Sequence, residues 1–205
     1  MKQMAFYPWV GSKYLFTGLN GKKILVLGES FYCDECDKDD CGAVESQCSG
    51  MFITVFQNRA NGIKNDKHAT YTKISSLLSR STNISDEKEI WRGISYYNYI
   101  QRTVGGTSRI SPGDSEWIKY LGEFNEILSI LNPNIVIVLG ERLWDNLPIK
   151  CGEELTNKKI YKSDTDKIET WCYDKYNCRM FSIRHPSSSM SYSVSSLINK
   201  ALEET

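Results

Sequence analysis

The sequence predicts an α/β fold: a single domain over residues 1–205, three layers deep, with helices on both faces of a central, mainly parallel sheet of about four strands. Three observations carry this. Lys22-Lys23 leads into Ile24-Leu25-Val26-Leu27-Gly28, a run of large aliphatics closed by glycine, which reads as a strand buried on both faces. Ile135-Val136-Ile137-Val138-Leu139-Gly140 repeats the pattern. Between the two, Trp117, Tyr120, Leu121, Phe124, Leu128 and Leu131 recur with a helical period, so strand, helix and strand alternate.

At 205 residues the chain can bury one sizeable core, and no proline-rich, glycine-rich or low-complexity stretch divides it. Lys plus Arg and Asp plus Glu both number 25, so the net charge is zero and nothing draws the whole chain to a polyanion. Any nucleic-acid contact must come from basic groups gathered locally. Met1 to Tyr14 mixes lysines with aromatics and lacks the apolar centre of an export signal, and no run of about 18 apolar residues is present to span a membrane. Seven cysteines, an odd number in a chain too large to need disulfide staples, fit a reducing compartment with free or metal-bound thiols. A cytoplasmic monomer with no membrane partner is the expectation.

Phe6, Tyr7, Pro8, Trp9 and Val10 precede the first core strand and are too aromatic for a loose tail. They are expected to strap a core edge, or to border the site through Trp9 or Tyr14. After the strand, Cys33, Cys36, Cys41 and Cys48 define an acidic, cysteine-rich insertion at about 33–48 with spacing Cys-x2-Cys-x4-Cys-x6-Cys. Four thiolates in one loop suffice for a tetrahedral structural zinc; an acidic loop with unpaired thiols, or one bridge on oxidation, is the other reading. A short helix follows over Met51–Arg59, stopped by Asn61-Gly62, and another carries Tyr71, Ile74, Leu77 and Leu78. His68 between them has no second histidine nearby and reads as a solvated loop residue. Ser85-Asp86-Glu87-Lys88 caps a helix that reaches Trp91.

Ile94-Ser95-Tyr96-Tyr97-Asn98-Tyr99-Ile100-Gln101, rich in β-branched and aromatic residues, is the second strand. Asn98 inside it must satisfy a buried amide, through a structural hydrogen bond or through a ligand. Ser111-Pro112-Gly113-Asp114 opens one long helix to Leu131, which Asn132-Pro133-Asn134 ends before the third strand. Glu141–Leu147 gives a short helix with Trp144, stopped by Pro148. Lys150 to Asp174 is polar, with β-prone pieces around Ile160 and over Ile168–Tyr173, and Cys151, Cys172 and Cys178 read as ordinary small residues. Arg179–Arg184 is the last strand, His185-Pro186-Ser187-Ser188-Ser189 leaves it, and Val194, Leu197, Ile198 and Leu202 mark a final amphipathic helix.

Distinctive polar groups therefore stand at three strand ends: Glu29 and Ser30, Asn98, and His185 with Ser187. Parallel strands present their C-terminal ends on one rim, where ligands bind. A carboxylate, an amide and an imidazole there suit a reaction that places positive charge on one fragment and negative charge on the other.

Gly28-Glu29-Ser30-Phe31-Tyr32 is similar to the first motif of the uracil-DNA glycosylase superfamily, Gly-Gln-Asp-Pro-Tyr in one branch and Gly-Glu-Ala-Pro-Gly in another. His185-Pro186-Ser187 matches its second motif, Tyr97-Asn98-Tyr99 looks like the strand whose asparagine reads uracil, and Asn132–Gly140 resembles its helix-to-strand junction. The motifs fall in the family's order from Lys22 to Ser189. The resemblance implies a uracil-DNA glycosylase-like domain that hydrolyses the N-glycosidic bond of uracil or another deaminated base, with DNA or a nucleotide base as partner.

In that scheme the base leaves the stack and enters a pocket floored by Gly28 and Ser30. Asn98 reads the pyrimidine edge, Phe52 stacks on the base, and Tyr32 blocks thymine's methyl or acts as an aromatic lid. Glu29 orients water or offsets the sugar cation, and His185 donates to the developing oxyanion. Ser187 and Ser188 hold a phosphate, and Met190 stands where relatives place an intercalating leucine, as wedge or as core contact. This chemistry requires no metal. The Gly-Glu branch carries an iron-sulfur cluster whose first cysteine pair precedes the motif; here every cysteine follows it, so the cluster does not carry over. Ser30 stands where the most active branch has aspartate, and Phe31 where the motif has proline. Two other classes stay open: a non-catalytic nucleotide- or nucleic-acid-binding protein of the same fold, and an interaction protein built on a zinc loop.

Overall fold

A computed structural model describes residues 6–32, 45–63, 68–103, 111–150, 154–188 and 192–205, with the backbone alone for 45–51 and 192. The elements are β1 (Trp9–Val10), β2 (Ile24–Gly28), α1 (Glu45–Ala60), α2 (Ala69–Thr82), α3 (Glu87–Gly93), β3 (Ile94–Asn98), α4 (Asp114–Lys119), α5 (Leu121–Leu131), β4 (Ile135–Leu139), α6 (Glu141–Asn146), β5 (Leu155–Lys162), β6 (Lys167–Tyr173), β7 (Cys178–Ile183) and α7 (Tyr192–Glu203).

The strands form one mixed sheet of seven, in the order β1-β3-β2-β4-β7-β6-β5. Its centre, β3-β2-β4-β7, is parallel and contains the four strands the sequence predicts. The expected count of about four is corrected by the edges. β1 pairs antiparallel with β3, and the hairpin β5-β6 extends β7 antiparallel. Central strands are buried on both faces and so read as continuous apolar runs; β5, with Asn157, Lys158, Lys159 and Ile160 all exposed, carries no such run. The aromatic strap is half realised as an edge strand: Ser95 Oγ donates to the Trp9 carbonyl at 2.5 Å.

Alternate residues of each central strand enter two cores. Ile24, Val26, Ile135 and Ile137 pack with Phe56, Ile74, Trp91 and Ile198 from the α1, α2, α3 and α7 side. Leu25, Leu27, Val136 and Val138 pack with Phe124, Leu128 and Leu143 from the α5 and α6 side. Each such fully buried side chain contributes about 1.5–3 kcal/mol. The strand starts are tied together by Asn134: its Oδ1 accepts from the Lys23 N–H at 2.8 Å, and its carbonyl accepts from the Arg179 N–H at 2.9 Å. Those two bonds set Ile24, Ile135 and Arg179 level.

Two helix expectations change. The long helix divides at Tyr120 (φ −95°, ψ 4°) into α4 and α5, with Gly122, a poor helix former, just beyond the break. The helix expected over Met51–Arg59 begins at Glu45, so Cys48 belongs to a helix and not to a four-cysteine loop. Cys33, Cys36, Cys41, Cys151 and Met190 lie outside the described residues. Near the end of α1, Arg59 is 2% exposed, pairs with Glu87 at 2.8 Å and lies over the rings of Tyr71 and Trp91, which ties three helices together.

Candidate functional site

Four strand ends share one rim. Gly28 is paired with Asn98, the Tyr99 and Ile100 N–H groups donate to the Gly28 and Glu29 carbonyls at 2.9 and 2.8 Å, and the Gly140 N–H donates to Ile183 at 2.8 Å. Counted in chain order, the parallel strands lie 2-1-3-4. The chain leaves β2 for the α1–α3 face and leaves β4 for the opposite face, where Leu143 of α6 is buried. Between those two ends the strand order reverses, and ligands of open α/β sheets bind at such a point. A cavity of about 920 Å³ lies there, within the size range of small-molecule sites.

Of the residues the sequence singles out, Gly28, Glu29, Ser30, Tyr32, His185, Ser187 and Ser188 line this cavity. Asn98 and Phe52 do not. Asn98 is 2% exposed, and a Cβ on Gly28 would come within 2.1 Å of its Oδ1 and 2.4 Å of the Tyr96 hydroxyl, so only glycine fits between the amide and the site. Among the described residues Asn98 Oδ1 has no hydrogen-bond partner, nor does the buried Ser30 Oγ. A buried polar atom left so costs about 1–3 kcal/mol, a cost that Tyr14, Tyr97 and Ser195 also carry away from this cavity. The Phe52 ring instead packs on Phe31 at 4.0 Å, and Phe31 packs on Phe6 at 4.9 Å.

Glu29 is not a free carboxylate. Arg142 Nε donates to its Oε2 at 2.8 Å, Nη2 donates to Oε1, and Nη1 donates to Ser111 Oγ at 2.9 Å. The Glu29 side chain is 10% exposed and that of Arg142 41%. This fork raises the guanidinium's pKa further, chiefly through the Glu29 hydrogen bond. It takes one lone pair on each carboxylate oxygen and leaves the second for another donor.

The Ser187 N–H donates to His185 Nδ1 at 3.2 Å, with Ser187 Oγ at 2.8 Å from the same nitrogen. A backbone N–H can only donate, so Nδ1 is the acceptor and the neutral ring carries its proton on Nε2. The residue opens on the cavity, yet the protein crowds its ring. That desolvation holds the imidazole pKa below 6.5; the Arg142 and Lys73 charges push the same way and Glu29 opposes them. Lys73 Nζ donates to the Ser187 and Ser188 carbonyls at 3.3 Å each, pinning the turn from α2. Gly140 adopts φ 103°, and a Cβ there would approach His185 Cβ at 3.4 Å.

Sequence reasoning missed Arg142, Lys73 and Tyr96. For Arg142 the signal was present: Gly140-Glu141-Arg142 follows an apolar run ending in glycine, as Gly28-Glu29-Ser30 does. The rule that selects Glu29 selects the β4 end equally. Lys73 carries no such signal, because α2 meets the His185 turn only in three dimensions.

Among the described residues no group of three or more His, Cys, Asp or Glu is placed to hold a metal. The thiols of the zinc expectation lie outside what is described, the Cys48 side chain included. Cys172 and Cys178 are free, and burial pushes the Cys178 thiol up to about 12. No described helix is long and apolar enough to cross a membrane. Fold and cavity together define an α/β protein with a cavity lined by polar groups at the topological switch point of its sheet. No protein-family model matches the chain, and neither does any curated protein.

Proposed function

We propose that the protein is a uracil-DNA glycosylase-like hydrolase, acting on the N-glycosidic bond of uracil or another deaminated base in DNA. The observation that carries the reading is the meeting of Glu29 and His185 on one cavity, with the unpartnered Asn98 amide oxygen behind Gly28. A base pressed in at Gly28 would take Asn98 as its edge reader and satisfy that oxygen. In the reaction the C1′–N bond breaks with its electron pair going to the base. His185, neutral near pH 7, donates from Nε2 to the developing oxyanion. Glu29 offers its second lone pairs to the water that attacks C1′, the water's proton leaving with the base. Ser187 and Ser188 line the mouth, where the strand's phosphate passes.

The test is release of uracil, hypoxanthine or xanthine from single-stranded and mismatched oligonucleotides, read as strand cleavage after alkali. Cleavage by the wild type that Glu29→Gln and His185→Ala each reduce about a hundredfold supports the reading. No cleavage, beside a positive control that cuts, refutes it. One observation favours a non-catalytic nucleotide- or nucleic-acid-binding role for the same cavity: both Glu29 oxygens are already held by Arg142. Salt-dependent binding without base release selects that alternative.

A further inference from the structure

A second cavity, of about 510 Å³, abuts the first and shares Glu141 and Arg184 with it. It lies between α6, the β5-β6 turn, β7 and α7, and Trp144, Thr165, Ser182 and Val194 are among its walls. Its charges are nearly all spent. Glu169 is held by Lys158 at 2.6 Å and by Lys167 at 2.8 Å, which pulls its pKa down to about 2, and Asp166 accepts from the Thr165 and Ser193 hydroxyls. Among the described residues, what stays uncommitted is one carboxylate, Glu141, and one guanidinium, Arg184. Among the described residues Arg184 makes no hydrogen bond or ion pair, and it stands at the seam between the cavities.

A cavity with the Thr165 and Ser182 hydroxyls and an indole in its wall suits a neutral polar ring system, whereas an unpaired guanidinium at its entrance suits one anion. We infer that the second cavity is a nucleoside subsite one nucleotide along from the base, with Arg184 holding the phosphate that joins the two. The ligand class is a nucleoside–phosphate–nucleoside step, supplied by a DNA strand or by a free dinucleotide. This rests on the proposed function for placing a base in the first cavity. The size agrees: 510 Å³ falls within the roughly 300–1,000 Å³ of sites for single small molecules.

The test is calorimetric titration of the whole protein with four ligands: deoxyuridine, a deoxyuridine–deoxyadenosine dinucleotide made uncleavable by 2′-fluorination, the same dinucleotide with a neutral methylphosphonate link, and a twelve-residue strand containing that step. The charged dinucleotide should bind about tenfold or more tightly than deoxyuridine, the return for one charge-assisted phosphate contact. The methylphosphonate, Arg184→Gln, and Thr165→Trp on its exposed turn should each erase that gain; Thr165→Trp, at a residue lining only the second cavity, should leave deoxyuridine binding unchanged, and for Arg184→Gln the gain is read as the ratio of dinucleotide to deoxyuridine affinity within the variant. A twelve-mer tighter than the dinucleotide points to a strand, and equal affinity to a free dinucleotide; both support the subsite. A dinucleotide no tighter than deoxyuridine, or a gain that survives Arg184→Gln and the neutral link, overturns it. Uracil release persisting in that case leaves the proposed function standing while the subsite fails.

Discussion

Two arginine–glutamate pairs in this molecule have the same chemistry and similarly buried carboxylates, but their arginines sit in opposite surroundings. Arg59 and Glu87 are 2% and 15% exposed, and Ser75 Oγ adds a bond to Glu87 at 2.8 Å. Arg142 and Glu29 are 41% and 10% exposed on a cavity wall, with Ser111 as their added partner. In the first pair every charge is spent on joining α1, α2 and α3. In the second, the carboxylate keeps lone pairs facing a space large enough for a ligand. Surroundings, and not the pairing, separate a structural ion pair from one available for chemistry.

The comparison breaks first on stability. Arg59→Ala leaves Glu87 buried and unpaired, and should cost about 3–5 kcal/mol in urea denaturation. Arg142→Ala removes a guanidinium that is 41% exposed and leaves Glu29 on a cavity wall that a ligand or water can reach, so it should cost less than Arg59→Ala. A reversal of that order would show that the cavity-wall pair holds the fold. Gly28→Ala comes next: its Cβ meets Asn98 Oδ1 and the Tyr96 hydroxyl, neither of which can retreat freely in a packed core. A loss of about 1–3 kcal/mol with loss of ligand binding is expected, and unchanged binding would detach Asn98 from the site.

The pH response sharpens the same contrast. A histidine whose folded pKa lies below 6.5 prefers the neutral form in the fold, so its stabilising contribution is complete above pH 6.5 and is lost as the pH falls below that value. If His185 acts as proposed, in its neutral form, uracil release should hold steady down to pH 6.5 and decline only on the acid side of it. The smallest effect is Lys73→Gln, which removes one of the charges that lower His185. The ring's midpoint, followed by its Cε1 proton resonance, should move up; no movement would place Lys73's charge outside the imidazole's field.

The parallel centre was legible because burial on both faces writes an uninterrupted aliphatic run, as at Ile24–Leu27 and Ile135–Leu139. The β5-β6 hairpin was legible only as β-prone pieces around Ile160 and over Ile168–Tyr173, since the exposed residues of β5 give it the composition of a polar loop, and the β1 strand is two residues long. At the site, Glu29 and His185 were readable from their places after strands. Arg142's fork depends on β2 lying beside β4, and Lys73's contact on where α2 packs; neither neighbourhood is written in local sequence. Phe52 carried the right residue type, but its ring is claimed by Phe31.

On the proposed function, one ligand engages Asn98 and His185 together through the cavity at the switch point. Its most direct test is titration of the isotope-labelled protein with deoxyuridine, following the Asn98 side-chain amide and the His185 ring. Both sets of resonances should shift with a single affinity, and His185→Ala should weaken the Asn98 response. Saturating deoxyuridine that leaves the Asn98 amide and the His185 ring unmoved would contradict that reading.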